Sequence, residues 1–402
     1  MATTLMRLCA AAIMAVASGF SPAKEWPLTI DTHVDIPQAY MQKARFDAGA
    51  DSVLKVDLAK MERGGLDAAF FVVYVEQGPL TAEGYGRAMR LADEKYDAIE
   101  ALVQQNPGRI RLATGPQQVR QNHQDGVLSA MIGIENGYSL GRRLDRLDAA
   151  HARGARYLGL THTGHNAICT SSGERPEFGD VPAGGKGLSG FGRSVVLRAN
   201  RLGMMIDVSH ASDACVREVL QASAAPVIAS HSAAHALVPH PRNINDGLLR
   251  GIADSGGVVQ VVAYTYFLKP DPAREAAEQA LQGEVAKLAG AGEFDSDLHD
   301  GHPAYVVGMA RIDAEFPIAT LDDYMDHVDH VVSVAGIDHV GLASDFDGGG
   351  GITGWMDASE TANVTRALRE RGYGDEEIEK LWGGNLLRVW AEVERIAAGA
   401  GA

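Results

Sequence analysis

Eight short apolar runs rich in β-branched residues recur along the chain, and helix-like stretches separate them. This alternation predicts parallel strands joined by crossover helices. Eight such strands predict an α/β fold of the (β/α)8 type, a TIM-like barrel. The runs are PLTIDTH near residue 30, LDAAFFVVYV at 66–75, LSAMIGIE at 128–135, ARYLGLTH at 155–162, MMIDVSH at 204–210, PVIASH at 226–231, GGVVQVVAY at 256–264 and HVGLASD at 339–345.

The segments between the runs indicate how the strands are connected. Residues 82–105 carry apolar side chains at every third or fourth position until Asn-Pro-Gly ends the pattern, which predicts a long crossover helix. Residues 269–320 are rich in charge and longer than one crossover requires, so we expect a helical insertion after strand 7. Residues 169–192 are rich in Gly and Pro, which predicts a long loop over one mouth of the barrel.

Composition limits the kind of protein and the kind of partner. The 402 residues are 46% hydrophobic and 22% charged, as in globular proteins with a sizeable core. Lys plus Arg number 36 against 52 Asp plus Glu, and the net charge is −16 without any basic run. These features argue against a nucleic-acid partner and favour one large folded domain.

The first 23 residues differ from the rest of the chain. One positive charge precedes the short apolar run LCAAAIMAVASGF, and small residues that suit cleavage lie nearby. We therefore expect a secretory signal peptide at 1–23, a catalytic domain at 24–402, and a periplasmic or secreted protein; a buried N-terminal helix is the alternative. The run is too short to span a bilayer, and no hydrophobic tail for a lipid anchor is seen at the C-terminus.

If the signal peptide is removed, two cysteines remain, Cys169 and Cys215. Neither belongs to a CxxC motif of the kind found in zinc knuckles. The two cysteines could form one structural pair or remain unpaired. In either case we expect that the fold does not depend on a framework of disulfides.

The residues able to carry chemistry stand at the carboxyl ends of the predicted strands. In (β/α)8 enzymes these ends build the active site, whereas the opposite rim is structural. The pattern therefore predicts a site at one mouth of the barrel. In chain order the residues are His33, Asp35, Tyr74, Glu135, His162, His210, His231, Tyr264 and Asp345.

Five of these residues have the types and spacing expected of metal ligands. His33 and Asp35 are two residues apart in a strand, so their side chains share one face and can reach the same cation. An imidazole and a carboxylate are ligands that suit Zn²⁺. His210 and His231 end neighbouring strands, which lie about 4.8 Å apart, and can share a second cation. Glu135 ends an apolar strand, where a carboxylate is costly unless paired or metal-bound, and it can bridge the two.

Each signal is weak by itself, because a single HxD pattern occurs by chance and a lone strand-end histidine is more often a packing residue. Five such residues at four strand ends favour the metal site. Six other histidines fall in helical or loop contexts, and for them we expect surface positions. They are His123, His151, His302, His327, His330 and His339.

Several motifs, in order and spacing, resemble those of the membrane (renal) dipeptidase family, the M19 metallopeptidases of the amidohydrolase superfamily. The resemblance implies two Zn²⁺ ions per chain, one held by His33 and Asp35, the other by His210 and His231, with Glu135 bridging both. The motifs are DTHVDIP, IGIENGYSLG, RYLGLTHTGHN, GLSGFGRSVVLRANRLGMMIDVSHAS, PVIASHSAAHAL, PHPRNINDGLLRGIADSGGVVQV and DHVGLASDFDGG.

The resemblance also implies roles around the metals. His162 would contact the scissile carbonyl, Arg242 would bind the terminal carboxylate of a dipeptide, and Asp345 would transfer protons. Tyr264 matches a substrate-side tyrosine, although the family's Asn-Phe-Tyr segment reads VAYTY here. A homodimer is a further implication of the resemblance.

The sequence thus favours a zinc dipeptidase acting on L-Xaa-L-Xaa or L-Xaa-D-Xaa dipeptides through metal-activated hydroxide. One alternative is a related amidohydrolase, such as an N-acyl-D-amino-acid deacylase. An alternative of another class is a zinc-binding barrel without catalytic activity, which would have no need of Asp345 and His162 beside the metal ligands.

Overall fold

The computed structural model describes residues 27–181 and 187–400. Within these ranges nine strands form one sheet, and neighbouring strands run parallel. In chain order they are β1 (Ile30–Val34), β2 (Ala68–Tyr74), β3 (Ile110–Leu112), β4 (Leu128–Glu135), β5 (Ala155–Gly159), β6 (Met205–Asp207), β7 (Val227–Ser232), β8 (Val258–Val262) and β9 (Val340–Ala343).

Eight of these strands form the barrel, in the order β1-β2-β4-β5-β6-β7-β8-β9. The first and last strands meet through two backbone hydrogen bonds: Asp345 N donates to His33 O (3.2 Å) and Asp35 N donates to Phe346 O (2.9 Å). The predicted (β/α)8 barrel is confirmed. The short β3, which corresponds to none of the eight apolar runs, pairs with the first residues of β4.

Helices surround the strands. The predicted crossover helix at 82–105 is confirmed as α2, and Thr81 caps it by accepting the N–H of Gly84. The helices are α1 (Leu58–Gly64), α2 (Ala82–Gln105), α3 (Pro116–Gln124), α4 (Leu144–Ala152), α5 (Gly190–Leu202), α6 (Asp213–Ala222), α7 (Asp246–Asp254), α8 (Thr265–Leu268), α9 (Pro272–Leu288), α10 (Ser296–His299), α11 (Pro303–Glu315), α12 (Leu321–Ala335), α13 (Thr361–Glu370), α14 (Asp375–Glu379) and α15 (Asn385–Ala400).

The predicted insertion after the seventh barrel strand is also helical. Helices α8 to α11 lie between β8 and α12, the helix that leads back to β9. Helix α12 begins at a capping box in which Thr320 and Asp323 satisfy each other's backbone N–H groups. The insertion approaches the start of the chain, since Asp297 accepts the N–H of Gln38 at 3.0 Å.

Apolar side chains fill the amino-terminal end of the barrel. Phe70 of β2 packs against Tyr157 of β5, with ring centroids 4.9 Å apart, and against Trp390 of α15 at 5.8 Å. All three residues are fully buried. Helix α15 therefore covers this end of the barrel.

A disulfide joins the long loop after β5 to helix α6. Cys169 and Cys215, whose Cα atoms lie 6.1 Å apart, form this bond, which settles a pairing that the sequence left open. The same loop hydrogen-bonds to the segment after β6, because Ser172 N donates to His210 O (2.8 Å). The predicted loop ends slightly earlier than expected, because α5 begins at Gly190.

Three further predictions concern the ends and the surface. The signal peptide predicted at 1–23 lies outside the described residues. Among the helices of the described ranges, none is long and apolar enough to cross a membrane.

The surface position expected for His327 is wrong. This residue is 2% exposed, and its Nδ1 accepts the N–H of Ala234 because α12 packs directly on the segment after β7.

Candidate active site

The predicted site residues converge at the carboxyl ends of the strands. A cavity of about 830 Å³ opens there, and His33 lies buried next to its carboxylate lining. The strands place most of the side chains, because each lies at the end of a strand or within three residues after it, whereas Arg242 lies in the loop between β7 and α7. The predicted residues that line the cavity are Asp35, Tyr74, Glu135, His162, His210, His231, Arg242, Tyr264 and Asp345.

One cluster of ligand-type atoms surrounds Nε2 of His33. Its neighbours are Glu135 Oε2 at 3.4 Å and Asp35 Oδ2 at 3.6 Å. This nitrogen is buried, and no hydrogen bond reaches it from the described residues. A buried imidazole nitrogen facing two carboxylates without a hydrogen bond is the arrangement that a cation would complete.

A second cluster surrounds the other oxygen of Glu135. Its Oε1 lies 3.0 Å from His210 Nε2 and 3.5 Å from His231 Nε2, and the two imidazole nitrogens are 2.9 Å apart. The two oxygens of Glu135 therefore face different sets of ligands. Both sets are groups whose ligand atoms lie within 4.8 Å of one another.

Electrostatics act differently on the two clusters. At His33 burial opposes charge, yet Glu135 and Asp35 outweigh it and raise the pKa of the imidazole well above 6.5, so a metal ion bound there would replace a proton. Burial opposes charge on Glu135, yet the imidazoles of His33 and His210 outweigh it and hold the pKa of the carboxyl well below its ordinary value. Burial lowers the pKa of both His210 and His231 well below the usual 6.5. The two imidazoles are therefore neutral, and neutral imidazole is the form that binds a metal.

The backbone is strained at two of these positions. His210 has φ 64° and Asp345 has φ 59°, in the left-handed region that non-glycine residues rarely adopt. Hydrogen bonds hold Asp345 there, since Gly348 N and Gly350 N both donate to its carbonyl oxygen. Such conformations persist where the surrounding structure fixes them, and they cluster at functional sites.

His162 lies on the cavity side of the second cluster. Its ring is 4.2 Å from that of His210 and 4.6 Å from that of Tyr74, and its Nε2 is 4.0 Å from Glu135 Oε1. Burial lowers the pKa of His162, so the imidazole is neutral at pH 7. It can therefore contact a bound carbonyl group beside the metal ligands.

Arg242 is buried at the wall of the cavity, with 8% of its surface exposed. Its Nη2 donates to His231 O (3.1 Å), and its Nε has no partner within the described residues. Burial lowers the pKa of Arg242 to about 10, which leaves the guanidinium charged at neutral pH. Tyr264 lines the same cavity next to Phe267, at a ring separation of 4.5 Å.

Sequence reasoning missed cavity residues that lie away from strand ends. Lys95 of α2 is buried, donates to Ile36 O (2.7 Å) and lies 5.5 Å from the ring of Tyr74. Asp297 of α10 also lines the cavity. No sequence signal marks either one, because helix residues become cavity residues only through tertiary packing.

A comparison with known families decides the assignment. The profile described as Membrane dipeptidase (Peptidase family M19) matches residues 23–402. This chain belongs to the membrane dipeptidase family. The resemblance predicted from the sequence is thereby confirmed, and the M19 metallopeptidases are dipeptidases that use metal.

Individual members of the membrane dipeptidase family are similar over nearly the whole chain. Dipeptidase tcpJ of Claviceps purpurea is 30% identical over 360 residues, covering 88% of this chain and 73% of the relative. Dipeptidase aclJ of Aspergillus oryzae is 31% identical over 366 residues, covering 90% and 75%.

Solved structures of the family agree with the fold. The probable dipeptidase PvdM from Pseudomonas aeruginosa is 34% identical with a TM-score of 0.80, covering 92% of this chain and 96% of that one. A metallo peptidase from Rhodobacter sphaeroides, liganded with a phosphinate mimic of L-Ala-D-Ala, is 25% identical with a TM-score of 0.72, covering 92% and 99%.

Proposed function

We propose that this member of the M19 family is a zinc-dependent dipeptidase with two Zn²⁺ ions per chain. The observation that carries the proposal is the position of Glu135, whose two oxygens face separate sets of metal-ligand atoms. His33 and Asp35 would hold one ion, and His210 and His231 the other. Nitrogen and oxygen donors in such groups suit Zn²⁺.

Bound zinc would supply the Lewis acid that activates a water molecule and polarises the scissile carbonyl. The protein then has to accept a proton and return it to the departing amine. Asp345 is suited to this task, because its Oδ1 lies 3.9 Å from His33 Nε2 at the edge of the first cluster. Burial raises the pKa of Asp345 to about 8, so the carboxyl can exchange a proton near neutral pH.

Arg242 and His162 would orient the substrate. The guanidinium is charged and buried, so a carboxylate that enters the cavity gains a partner with little competing water. His162 would contact the carbonyl oxygen, since it stands next to His210 and Glu135. A terminal carboxylate bound by Arg242 would place the last peptide bond of the substrate beside the metals.

The relative bound to a phosphinate mimic of L-Ala-D-Ala supports the proposal that a D residue is accepted at the carboxyl-terminal position. No observation in this chain favours the deacylase over the dipeptidase. A zinc-binding barrel without activity accounts less well for a proton-exchanging Asp345 and a buried cationic Arg242 in the same cavity.

The signal peptide at 1–23, the domain at 24–402 and a periplasmic or secreted location remain our proposal. The disulfide between Cys169 and Cys215 supports it, because such bonds persist in oxidising compartments.

A dipeptide panel tests the function. Zinc-loaded full-length protein is assayed with L,L and L,D dipeptides and with their N-acetylated counterparts, and the chelator-treated protein serves as the control. We expect turnover of free dipeptides that is lost with chelator and restored by Zn²⁺. Faster cleavage of the N-acetylated compounds would support the deacylase instead, and no turnover of any compound would contradict the enzyme assignment.

A further inference from the structure

A buried serine lies beneath the metal-ligand clusters, on the side away from the cavity. Ser230 Oγ is 2.8 Å from His231 Nδ1 and 3.4 Å from His33 Nδ1. Ser230 is fully buried. It therefore contacts the ring nitrogens that point away from the proposed metals, in both clusters.

Asp207 fixes the direction of the hydrogen bonds through this serine. Its Oδ1 accepts the N–H groups of Ser209 (3.0 Å) and Ser230 (2.8 Å), and its Oδ2 lies 2.7 Å from Ser230 Oγ. A carboxylate can only accept, so the hydroxyl of Ser230 donates to it. The oxygen of Ser230 is then left to accept from Nδ1–H of His231.

The same direction holds at His33. Its Nδ1 lies 3.0 Å from the hydroxyl of Tyr157, and that hydroxyl donates to Thr32 O at 3.2 Å. Tyr157 therefore accepts from Nδ1–H of His33. In both imidazoles a proton is held on Nδ1, so Nε2, which faces Glu135, is the nitrogen left to bind a metal.

We propose that Asp207, acting through Ser230, is a positioning residue that fixes the tautomer of His231 for metal binding, and that Tyr157 does the same for His33. The inference rests on the proposed metal site and adds to it which residues prepare the ligands. Partners of this kind typically change metal affinity about 10- to 100-fold. His210 provides a contrast, because its Nδ1 has no hydrogen-bond partner within the described ranges.

The substitution Asp207→Asn reverses the direction of the hydrogen bonds that run through Ser230 to His231, and it keeps the size of the side chain. The amide oxygen can still accept the two backbone N–H groups, while the amide nitrogen must donate to Ser230 Oγ. The serine hydroxyl is then driven to donate to Nδ1 of His231, which moves the imidazole proton to Nε2. That proton opposes metal binding, and we expect the affinity for one of two Zn²⁺ ions to fall about 10- to 100-fold.

Ser230→Ala supplies the matched control. Without the hydroxyl, His231 loses a partner but can place its proton on either nitrogen, so the loss of affinity should be smaller. In the double variant the reversed hydrogen bond no longer exists, and we expect its zinc affinity to return to that of Ser230→Ala. Two independent structural defects would instead add their effects.

The experiment measures zinc affinity by competition with a chromophoric chelator, on full-length wild type and the three variants. We expect D207N to have the lowest zinc affinity. S230A and the double variant should have equal affinities, higher than that of D207N and lower than that of the wild type. Equal affinity of D207N and wild type, or additive losses in the double variant, would overturn the inference. A wild type that binds no zinc would overturn the proposed function together with it.

Tyr157→Phe keeps the inference testable if D207N fails to fold. This variant retains the ring that packs on Phe70 and removes the hydroxyl that lies nearest to Nδ1 of His33. We expect weaker binding of one ion, again by about 10- to 100-fold. Unchanged binding of both ions in Y157F would contradict the role of Tyr157.

Discussion

Asp345 follows β9 at a position that permits two roles. With His33 and His231 it forms a third group whose ligand atoms lie within 4.8 Å of one another, so it can act as a metal ligand. It is also the buried carboxyl whose pKa is raised to about 8, so it can carry a proton. Its left-handed backbone, φ 59°, is one that asparagine also tolerates.

Asp345→Asn distinguishes these roles without straining the backbone. If Asp345 carries a proton, the variant keeps two zinc ions and kcat falls by about 10²- to 10⁴-fold, the usual size of a general acid–base contribution. Steady-state kinetics and metal analysis on the same sample check both values. Loss of one zinc ion would identify Asp345 as a ligand, and near-normal kcat would remove it from the mechanism.

Arg242 should determine the requirement for a free terminal carboxylate. Arg242→Met removes the buried guanidinium, and we expect KM for a dipeptide to rise roughly 100-fold, a typical cost of removing one partner of a buried charge pair. The corresponding dipeptide amide, which lacks the charge, should be affected far less. Steady-state kinetics on the two substrates measure how much more the dipeptide is affected than its amide. Equal losses on both would indicate that Arg242 acts through its hydrogen bond to His231 O and does not bind the carboxylate.

The elements differ in how far their sequence predicts them. The strand bearing His33 and the helix at 82–105 were predictable because each has a strong apolar period and a clear end signal. Strand β3 was missed because only Ile110 among its residues is buried. Asp207 and Ser230 carried a faint signal, a polar residue inside an apolar strand and a serine directly before a strand-end histidine.

Lys95 and His327 show the limit of such reasoning. Their surroundings come from elements distant in sequence, the loop after β1 for Lys95 and the segment after β7 for His327. Periodicity can show that a helix buries one face, but it cannot show which polar group on that face meets a backbone partner. The roles of such residues follow from the tertiary structure alone.

The free energy of unfolding should depend on pH because His327 is buried in α12. Burial lowers the pKa of this imidazole from 6.5 to about 4, so between these values the unfolded chain binds a proton that the folded one excludes. Stability is therefore fully present above about pH 6.5 and falls as the pH drops, by at most about 1.4 kcal/mol per pH unit. Urea unfolding between pH 7.5 and 5 measures this slope.

His327→Asn is the control for that measurement, because its amide oxygen can accept the N–H of Ala234 but does not titrate. The variant should be less stable at neutral pH and lose less stability on acidification. The same slope in both proteins would assign the pH dependence to other groups.

The whole molecule converges on one cavity from separate parts of the chain. Strand ends supply the ligand-type residues, and α2 supplies Lys95. The insertion supplies Asp297, which accepts the N–H of Gln38 in the loop after β1. The buried aromatic side chains under α15 fill the amino-terminal end of the barrel. A site assembled from such distant segments exists only in the folded chain, so a ligand that binds there must stabilise the fold.

Zinc should therefore raise the melting temperature of chelator-treated protein. The acidic side chains of Asp35, Glu135 and Asp345 are buried close together, and a bound cation would stabilise their ionised forms. Free Zn²⁺ at 100 times Kd adds about 2.7 kcal/mol per site. Differential scanning calorimetry across a zinc titration measures the effect, with Mg²⁺ as the control because it prefers oxygen ligands over imidazole. An unchanged melting temperature at saturating zinc, or an equal rise with Mg²⁺, would contradict a centre built for zinc.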